Sequence, residues 1–302
     1  MPELPEVEQV RASIERRAVG LRVQSVTVHR RDVVCGPEDP SGGWSRAGRE
    51  YLGRAKPRVP KSLLLQGDVI RSVLRHGKQL GVIGDSGAIG FHLGMTGQFL
   101  YRRPGERLVK SDHVHVTWTL VDPQGEAAGR LVFRDPRRFG GVWAYRDRKG
   151  LSERWESLGP DALTIEACEL AERLRPSTGQ SRGVRHVKAA LLDQSTIAGV
   201  GNIYADESLF RSGILPTRPV GDLSDAEVGR LAGAIREILA EAVESGGSTL
   251  RDYVDGDGSA GSFQQRHRVY GRSGQLCITC GNPLRDGTVA QRMTVWCVCC
   301  QR

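Results

Sequence analysis

Cys277-Ile278-Thr279-Cys280 is followed, after sixteen residues, by Cys297-Val298-Cys299-Cys300, and this spacing determines how the last part of the chain folds. Two Cys-x-x-Cys pairs at this separation are typical of four thiolates that bind one zinc ion tetrahedrally and close a small hairpin. Because cysteine fills all four positions, no place remains for water, and we expect one structural Zn2+. We expect Cys299 to lie outside the site, because Cys297 and Cys300 already have the knuckle spacing.

The region around these cysteines is strongly basic. Residues 262–302 contain six arginines and one acid, Asp286, and the 302-residue chain has a net charge of +8. The planar guanidinium of arginine suits phosphate oxygens and base edges, so this composition predicts a nucleic-acid partner. No apolar run approaches the ~18 residues of a membrane span, and no signal segment is recognisable. We therefore expect a soluble, non-secreted protein without a membrane partner, in a compartment that keeps thiols reduced.

Helical patterns precede the basic tail. Ser224 and Glu227 form a capping-box signature at the start of a helix whose apolar stripe runs to Ala242. Two shorter helices, over 188–193 and 202–211, are predicted on either side of a glycine-containing turn. Asn202 is expected to be the N-cap of the second helix, and the free amides there are expected to form a phosphate site.

The first half of the chain has a different pattern. Residues 3–19 are predicted to be helical, and residues 21–145 contain short runs typical of a β-sandwich or barrel. Residues 35–60, rich in glycine and proline, predict a long polar loop. The predicted strands include Leu21–Val28, Leu63–Leu65, Val82–Ile83, His113–Val116 and Leu131–Phe133.

The predicted organisation is therefore α+β. It comprises an N-terminal β-sandwich domain over 1–146, a linker over 147–160, a helical domain over 161–262 and a cysteine-bound hairpin over 263–302.

The start Pro2-Glu3-Leu4-Pro5-Glu6 combines a potential nucleophile with two carboxylates. Removal of Met1 leaves Pro2 as a secondary amine, and an α-amino group has a pKa of roughly 7.7–8.0, so a fraction is neutral near neutral pH. When such an amine attacks a sugar carbon it becomes an iminium, which is a good electron sink. Proline followed by acids also begins many ordinary helices, so this segment does not decide the function by itself.

Two further stretches place bulky side chains on turns. They are Phe91-His92-Leu93-Gly94-Met95-Thr96-Gly97 and Asp135-Pro136-Arg137-Arg138-Phe139-Gly140. Methionine and phenylalanine wedges are side chains that proteins use to unstack a base step. Both stretches are therefore candidates for insertion into a duplex.

Together these motifs resemble formamidopyrimidine-DNA glycosylase, a bacterial base-excision repair family, from one end of the chain to the other. The resemblance implies an N-terminal β-sandwich with a flanking helix, a helix–two-turn–helix DNA-binding domain and a zinc-finger hairpin. It is carried by the proline start, both wedge stretches, the four cysteines and the motifs Gly77-Lys78, Leu191–Gln194, Gly199–Glu207 and Val269–Arg272.

The resemblance implies a DNA glycosylase and AP lyase that removes oxidised purines and cleaves the strand by β- and δ-elimination. Its partner is double-stranded DNA with an oxidised base or an abasic site, and the enzyme is a monomer of the bacterial cytosol, on the nucleoid. Pro2 is the implied nucleophile and Glu3 the general acid/base, Glu6 shapes the site, and Lys78 contacts phosphate near the lesion. The implied DNA contacts are His92, Met95, His113, Arg137, Arg138, Phe139, Lys188, Asn202, Tyr270 and Arg292.

Some features depart from the family pattern, and two alternatives stay open. The 35–60 loop is longer than expected, and His76 stands where an arginine is usual, so a phosphate contact there is weaker or pH dependent. Residues 255–263 match a flexible loop that closes over the flipped purine. The alternatives are an endonuclease VIII-like glycosylase for oxidised pyrimidines and a damaged-DNA-binding protein without catalysis.

Overall fold

The computed structural model describes residues 2–37, 58–108, 112–175, 184–249 and 253–302. It has the predicted α+β composition and divides into two compact units. The first consists of Met1–Pro2, Glu6–Glu156 and Ser248–Gly261, and the second of Glu3–Pro5, Ser157–Gly247 and Ser262–Arg302. No helix in these described ranges has the length and apolarity that crossing a membrane requires.

Helix α1 spans Leu4–Ala18 and begins directly after the Pro2-Glu3 start. Its residues Val7, Val10 and Ile14 are fully buried, as the periodicity of the sequence predicts. Gly20, at φ +87°, allows the chain to turn out of the helix into the first strand.

Two sheets form the body of the first unit. One has the order β1-β7-β8-β6 and the other β2-β9-β5-β4-β3. Alternate apolar residues from both sheets share one core with α1, in which Phe91 stacks on Phe99 with ring centroids 4.1 Å apart. The strands are β1 Arg22–Val28, β2 Val34–Cys35, β3 Ser72–His76, β4 Gln79–Ile83, β5 Ala88–His92, β6 Gln98–Arg102, β7 Val114–Val121, β8 Ala127–Arg134 and β9 Gly141–Tyr145.

Three predictions for this half need correction or qualification. Leu63–Leu65 is not a strand, because a 3-10 turn spans Lys61–Leu64 and Leu65 ends it in the left-handed region at φ 68°. The predicted linker contains helix α2, Arg148–Trp155, whose first turn is capped by the Asp147 side chain. Of the predicted loop over 35–60, residues 38–57 lie outside the described residues.

The second unit is built on helices and a terminal hairpin. The capping box of Ser224 and Glu227 is present at the start of α6, and the predicted apolar stripe is buried. In the hairpin, Ala290 and Gln291 both have positive φ and form the turn, as two-residue hairpins require. The elements are α3 Ala167–Leu174, α4 Val187–Leu192, α5 Asn202–Ser212, α6 Asp225–Glu244, β10 Arg285–Val289 and β11 Arg292–Trp296.

Candidate active site

The carboxylate of Glu3 is buried, at 3 % exposure, and accepts two hydrogen bonds from the first turn of α5. The Gly201 N–H donates to Oε2 at 2.7 Å and the Ile203 N–H donates to Oε1 at 3.0 Å. A Cβ on Gly201 would lie 2.3 Å from Cδ of Glu3, so only glycine admits this approach. Because unpaired N–H groups and the helix dipole stabilise a carboxylate at a helix N-terminus, the side chain that follows Pro2 is held in one orientation.

This contact corrects two predictions about the start of α5. Gly201 is the N-cap, and Asn202 is the first residue of the helix. The amides of Gly201 and Ile203 bind Glu3, so they do not form the free phosphate site that the sequence predicted. The side chain of Asn202 instead donates from Nδ2 to the carbonyl of Met293 at 2.9 Å.

Glu6 is buried within the first unit and contacts Ser248 and Tyr253. The Ser248 N–H donates to Oε1 of Glu6 at 2.7 Å, and the Tyr253 hydroxyl donates to its backbone carbonyl at 3.1 Å. Burial, followed by the charge of Glu6, raises the pKa of Tyr253, so this hydroxyl stays a donor. Glu6 therefore holds Ser248 and Tyr253 against α1.

The glycine-rich loop after Tyr253 is fastened to the first unit rather than loose. The Tyr101 N–H donates to the carbonyl of Gly256 at 2.8 Å, and Arg17 pairs with Asp257 at 2.9 Å. A Cβ on Gly256 would lie 2.8 Å from Cβ of Ser13, so glycine is required for this close packing. These contacts hold Gly256 and Asp257 in the first unit, and the flexible loop expected over 255–263 stays a prediction.

Lys78 lies on the two-residue turn between β3 and β4, where Gly77 has φ +55°. The Lys78 side chain is buried, and its positive charge is close enough to His92 to affect the pKa of the imidazole. Burial first, and the Lys78 charge second, lower the pKa of His92 to about 4, so its imidazole is neutral at pH 7. Its Nδ1 accepts from the Gly94 N–H at 3.2 Å. His76, at the usual arginine position, stacks on Trp155 with ring centroids 5.8 Å apart.

The two wedge stretches are brought together by one buried acid, Asp135. Its Oδ1 accepts from the Thr96 hydroxyl at 2.6 Å and from the Arg137 N–H at 3.2 Å, and its Oδ2 accepts from the Gly140 N–H at 2.7 Å. Met95 is 42 % exposed on the adjoining turn, which is unusual for a large apolar side chain in this protein. Asp135 therefore cross-links the two loops that carry the candidate wedges.

The other predicted contacts in this region flank the wedge loops. The guanidinium of Arg137 lies 4.8 Å from the ring centroid of Phe139, a cation–π distance. Arg138 has φ +56° and pairs with Asp32 at 3.2 Å. His113 has φ +52°, and its carbonyl accepts from the Asp135 N–H at 3.3 Å.

Lys188 is not presented to solvent in this structure, and its phosphate contact stays a prediction. Its side chain is 0 % exposed, and Nζ lies 2.6 Å from Oδ1 of Asp206, which is equally buried. Nζ also donates to the Thr294 hydroxyl at 2.8 Å and to the Met293 carbonyl at 3.2 Å. Burial lowers the pKa of Lys188 and raises that of Asp206 to about 7, and their mutual attraction opposes both shifts. In this structure the lysine joins α4, α5 and the hairpin.

Glu207, the next residue of α5, holds the chain that leads into the hairpin. It is buried, and its Oε1 accepts from the N–H groups of Arg268, Val269 and Tyr270 at 2.8–3.1 Å. The phenol of Tyr270 is thereby placed near Asn202. Burial, followed by the charge of Glu3, raises the pKa of this tyrosine, and a hydrogen bond with Asn202 opposes the shift.

The four predicted cysteine ligands meet at the base of the hairpin. The four sulfur atoms all lie within 4.8 Å of one another; they belong to Cys277, Cys280, Cys297 and Cys300. The Cys280–Cys297 and Cys277–Cys300 sulfur pairs are 3.4 and 3.9 Å apart. Zn–S bonds of about 2.3 Å in a tetrahedron require sulfur separations of about 3.8 Å, so the cluster fits a metal of that size. Cys299 is exposed and does not belong to the cluster.

Arg292 is exposed directly after the turn of the hairpin, between the two cysteine pairs. Sequence reasoning did not identify Asp135, Asp206 or Glu207 as site residues, although all three lie in motifs that it quoted. For Asp206 and Glu207 the available signal is their position among apolar residues of a predicted helix, because buried carboxylates need partners.

Comparisons with known proteins agree in assigning the chain to one family. Residues 1–142 match the formamidopyrimidine-DNA glycosylase N-terminal domain and residues 158–254 match the formamidopyrimidine-DNA glycosylase H2TH domain. A formamidopyrimidine-DNA glycosylase of Xanthomonas campestris pv. campestris is 40 % identical, with all of both chains covered.

Solved structures give the same result. A mutant Lactococcus lactis FPG in complex with a Fapy-dG containing DNA has a TM-score of 0.80 at 31 % identity, and L. lactis Fpg with an abasic site containing DNA has 0.79 at 30 %. In both cases all of both chains is covered. The chain belongs to the formamidopyrimidine-DNA glycosylase family.

Proposed function

We propose that this protein is a bifunctional DNA glycosylase and AP lyase that removes oxidised purines, 8-oxoguanine and formamidopyrimidines, from duplex DNA. The observation that carries the proposal is the buried carboxylate of Glu3, held by two α5 amides directly after Pro2. A protein that only bound DNA would need neither a free secondary amine nor an oriented proton carrier beside it. The complexes of relatives with Fapy-dG and with abasic DNA support the substrate class.

In the proposed reaction the Pro2 nitrogen attacks C1′, and the C1′–N9 bond breaks with its electron pair leaving on the base. Glu3 takes up the proton that the Pro2 nitrogen loses and donates it to the ring oxygen as the C1′–O4′ bond breaks, which opens the sugar and leaves an iminium between Pro2 and C1′. The departing base takes its proton from water. Loss of a proton from C2′ breaks the C3′–O bond, and loss of one from C4′ then breaks the C5′–O bond. Water hydrolyses the last iminium and releases Pro2. Covalent catalysis thus divides one difficult displacement into easier steps.

Glycosylases reach C1′ only after the nucleotide is flipped, at a cost of a few kcal/mol. Met95, Arg137 and Phe139 are proposed to fill the space that the nucleotide leaves, because Asp135 holds their two loops together. Lys78, Asn202, Tyr270 and Arg292 are proposed to bind phosphates near the lesion.

We propose zinc as the metal of the four-cysteine cluster, because four thiolates at these separations suit its tetrahedral preference. A zinc bound by four protein ligands has no open position, so it would hold the hairpin that carries Arg292 and take no part in the reaction. Such a thiolate site also fits a reducing cytoplasm, which we propose as the location.

Borohydride trapping tests the proposal. Borohydride reduces the iminium to a stable amine, so we expect a covalent complex with a duplex that contains 8-oxoguanine opposite cytosine. Protein that retains Met1 has an amide nitrogen at Pro2, which is not nucleophilic, and we expect it to form no adduct. Pro5→Ala is the matched control, because it changes a proline of the same segment and leaves Pro2 intact.

Glu3→Gln separates chemistry from folding. The amide oxygen still accepts from one α5 amide, but the side chain cannot exchange a proton, so we expect a folded protein that forms little adduct. Trapping with thymine glycol and not with 8-oxoguanine would favour the endonuclease VIII-like alternative. Failure with both lesions and with abasic DNA would refute the enzymatic proposal.

A further inference from the structure

Three large aliphatic side chains are exposed around the four-cysteine cluster. Leu276, Ile278 and Val298 are 62, 58 and 52 % exposed, and they are three of the seven large apolar side chains exposed in the described part of the chain. The first two flank Cys277 and the third follows Cys297, whose sulfurs lie within 4.8 Å of each other. The three side chains therefore lie on neighbouring knuckles, and we name them the knuckle patch.

The hairpin does not need these side chains for its own core. That core is formed by other residues, all at most 6 % exposed. The base of the hairpin is further held to the end of α5, because the Arg302 N–H donates to the Gly213 carbonyl and the Gln301 side chain donates to Ile214. The patch thus remains exposed after the local core is complete, which is typical of an interaction surface. The core residues are Phe210, Val269, Cys277, Leu284, Val295 and Cys297.

The patch lies at the opposite end of the hairpin from the proposed DNA contact. Arg285 pairs with Trp296 at the base, and Val289 pairs with Arg292 at the turn. The two pairs are four steps apart along the strand, which corresponds to about 13 Å at ~3.3 Å per residue. Aliphatic side chains gain nothing from a phosphate backbone, so exposed ones at the base favour a protein partner over more DNA.

Two arginines and one acid lie beside the patch, since Asp286 follows Arg285 and accepts from the Ser273 hydroxyl, so the net charge there is positive. The Arg272 guanidinium donates from Nη2 to the Leu276 carbonyl at 3.1 Å, which places this cation at the edge of the patch. Leu276 also bridges to Pro283, which brings the exposed Arg285 to the same edge. Neither guanidinium forms an ion pair with a carboxylate within the described ranges. An apolar centre with a cationic edge complements an acidic segment that carries apolar side chains.

We propose that the knuckle patch docks an acidic peptide segment of a partner protein, with apolar side chains of that segment on Leu276, Ile278 and Val298. The surface does not depend on the catalytic proposal, since it uses no residue assigned to the reaction or to DNA. A partner held there would remain bound while the turn of the hairpin contacts a duplex.

Fluorescence anisotropy with two labelled peptides tests this. One alternates aspartate with leucine, and the other alternates aspartate with serine at the same length and charge. With the full-length, metal-loaded protein we expect the leucine peptide to bind at least about tenfold more tightly. We expect a triple variant, Leu276→Ser with Ile278→Ser and Val298→Ser, to lose this difference. The matched control, Val19→Ser with Val184→Ser, replaces two exposed valines elsewhere. We expect this control to keep the difference in affinity between the two peptides.

Metal content and far-UV circular dichroism establish that each variant is folded. Should the triple variant lose its metal, the single variant Ile278→Asp is used in place of the triple variant. Its exposed carboxylate repels the acidic peptide, so we expect about tenfold weaker binding.

Three results would overturn the proposal. Equal binding of both peptides would mean a surface for polyanions only. Competition by undamaged duplex would assign the patch to DNA. Sedimentation showing a dimer that the triple variant abolishes, with no peptide bound, would make a second copy of the chain the occupant.

Discussion

Lys188→Met removes the cation from a fully buried pair and leaves Asp206 with one donor, the Val295 N–H at 3.2 Å. Breaking a buried ion pair by deleting one partner costs about 3–5 kcal/mol, so we expect the free energy of unfolding to fall by that amount. In the double variant, Lys188→Met with Asp206→Leu, no charge remains buried. We expect most of the loss to be recovered, because apolar replacement of a whole buried pair is often close to neutral.

The polar groups that contact Nζ of Lys188 keep other hydrogen-bond partners in the double variant. The Met293 carbonyl keeps the Asn202 side chain as a donor, and the Thr294 hydroxyl keeps the Arg292 carbonyl as an acceptor. Neither group is left without a partner when Nζ is removed. The double variant therefore isolates the charge pair from its surroundings.

The effect of pH on the single variant has a definite sign. Burial raises the pKa of Asp206 to about 7, above its ordinary value of 3.8, so the folded state binds this proton more tightly than the unfolded state. The stability that this proton contributes is fully present below pH 3.8 and is lost as the pH rises from 3.8 to about 7. Without Lys188 the carboxyl is still harder to ionise, so we expect the cost of Lys188→Met to be larger at pH 8 than at pH 5.

Urea unfolding of the two single variants and the double variant, followed by circular dichroism and by metal release, measures the coupling free energy. A coupling below about 1 kcal/mol would refute the reasoning, since exposed pairs reach that value. Duplex binding decides the role of Lys188 separately. If the stable double variant binds lesion DNA much more weakly than the native protein, then Lys188 contacts a phosphate after all.

Three further outcomes are expected. The pKa of His92 is about 4 in the folded protein and 6.5 in the unfolded chain. The free energy of unfolding should therefore be highest above pH 6.5 and fall by about 3 kcal/mol as the pH drops from 6.5 to 4. His92→Asn should flatten this profile in urea titrations at several pH values. Glu207→Gln weakens the hold on three amides, and we expect a loss of about 1.5–3 kcal/mol by urea midpoint, whereas the exposed control Glu237→Gln should change stability little. Chelation of the metal should unfold the hairpin and abolish tight duplex binding in gel-shift assays, because four-thiolate zinc sites contribute about 10 kcal/mol or more to folding; unchanged binding would contradict the role proposed for Arg292.

Patterns of local origin could be read from the sequence. The period of buried residues in α1, the Ser224 capping box and the two Cys-x-x-Cys pairs are patterns of residues that are close together in the sequence. The strand predicted for Leu63–Leu65 is wrong because an apolar run by itself does not define the backbone conformation. All three are apolar, and Leu64 and Leu65 are buried, but Pro60 and the left-handed Leu65 decide that the backbone forms a 3-10 turn.

The α+β class, the expected grouping of the four cysteines and the family-like motifs could therefore be derived from the order of residues in the chain. The folded chain was needed to reveal that Glu3 caps α5, that Asp135 joins the two wedge loops and that Lys188 is buried against Asp206. The physical reason is the same in all three cases. The partners of a buried charge are chosen by residues that can be far apart in sequence, 198 positions between Glu3 and Gly201, and no local pattern records which of them meet.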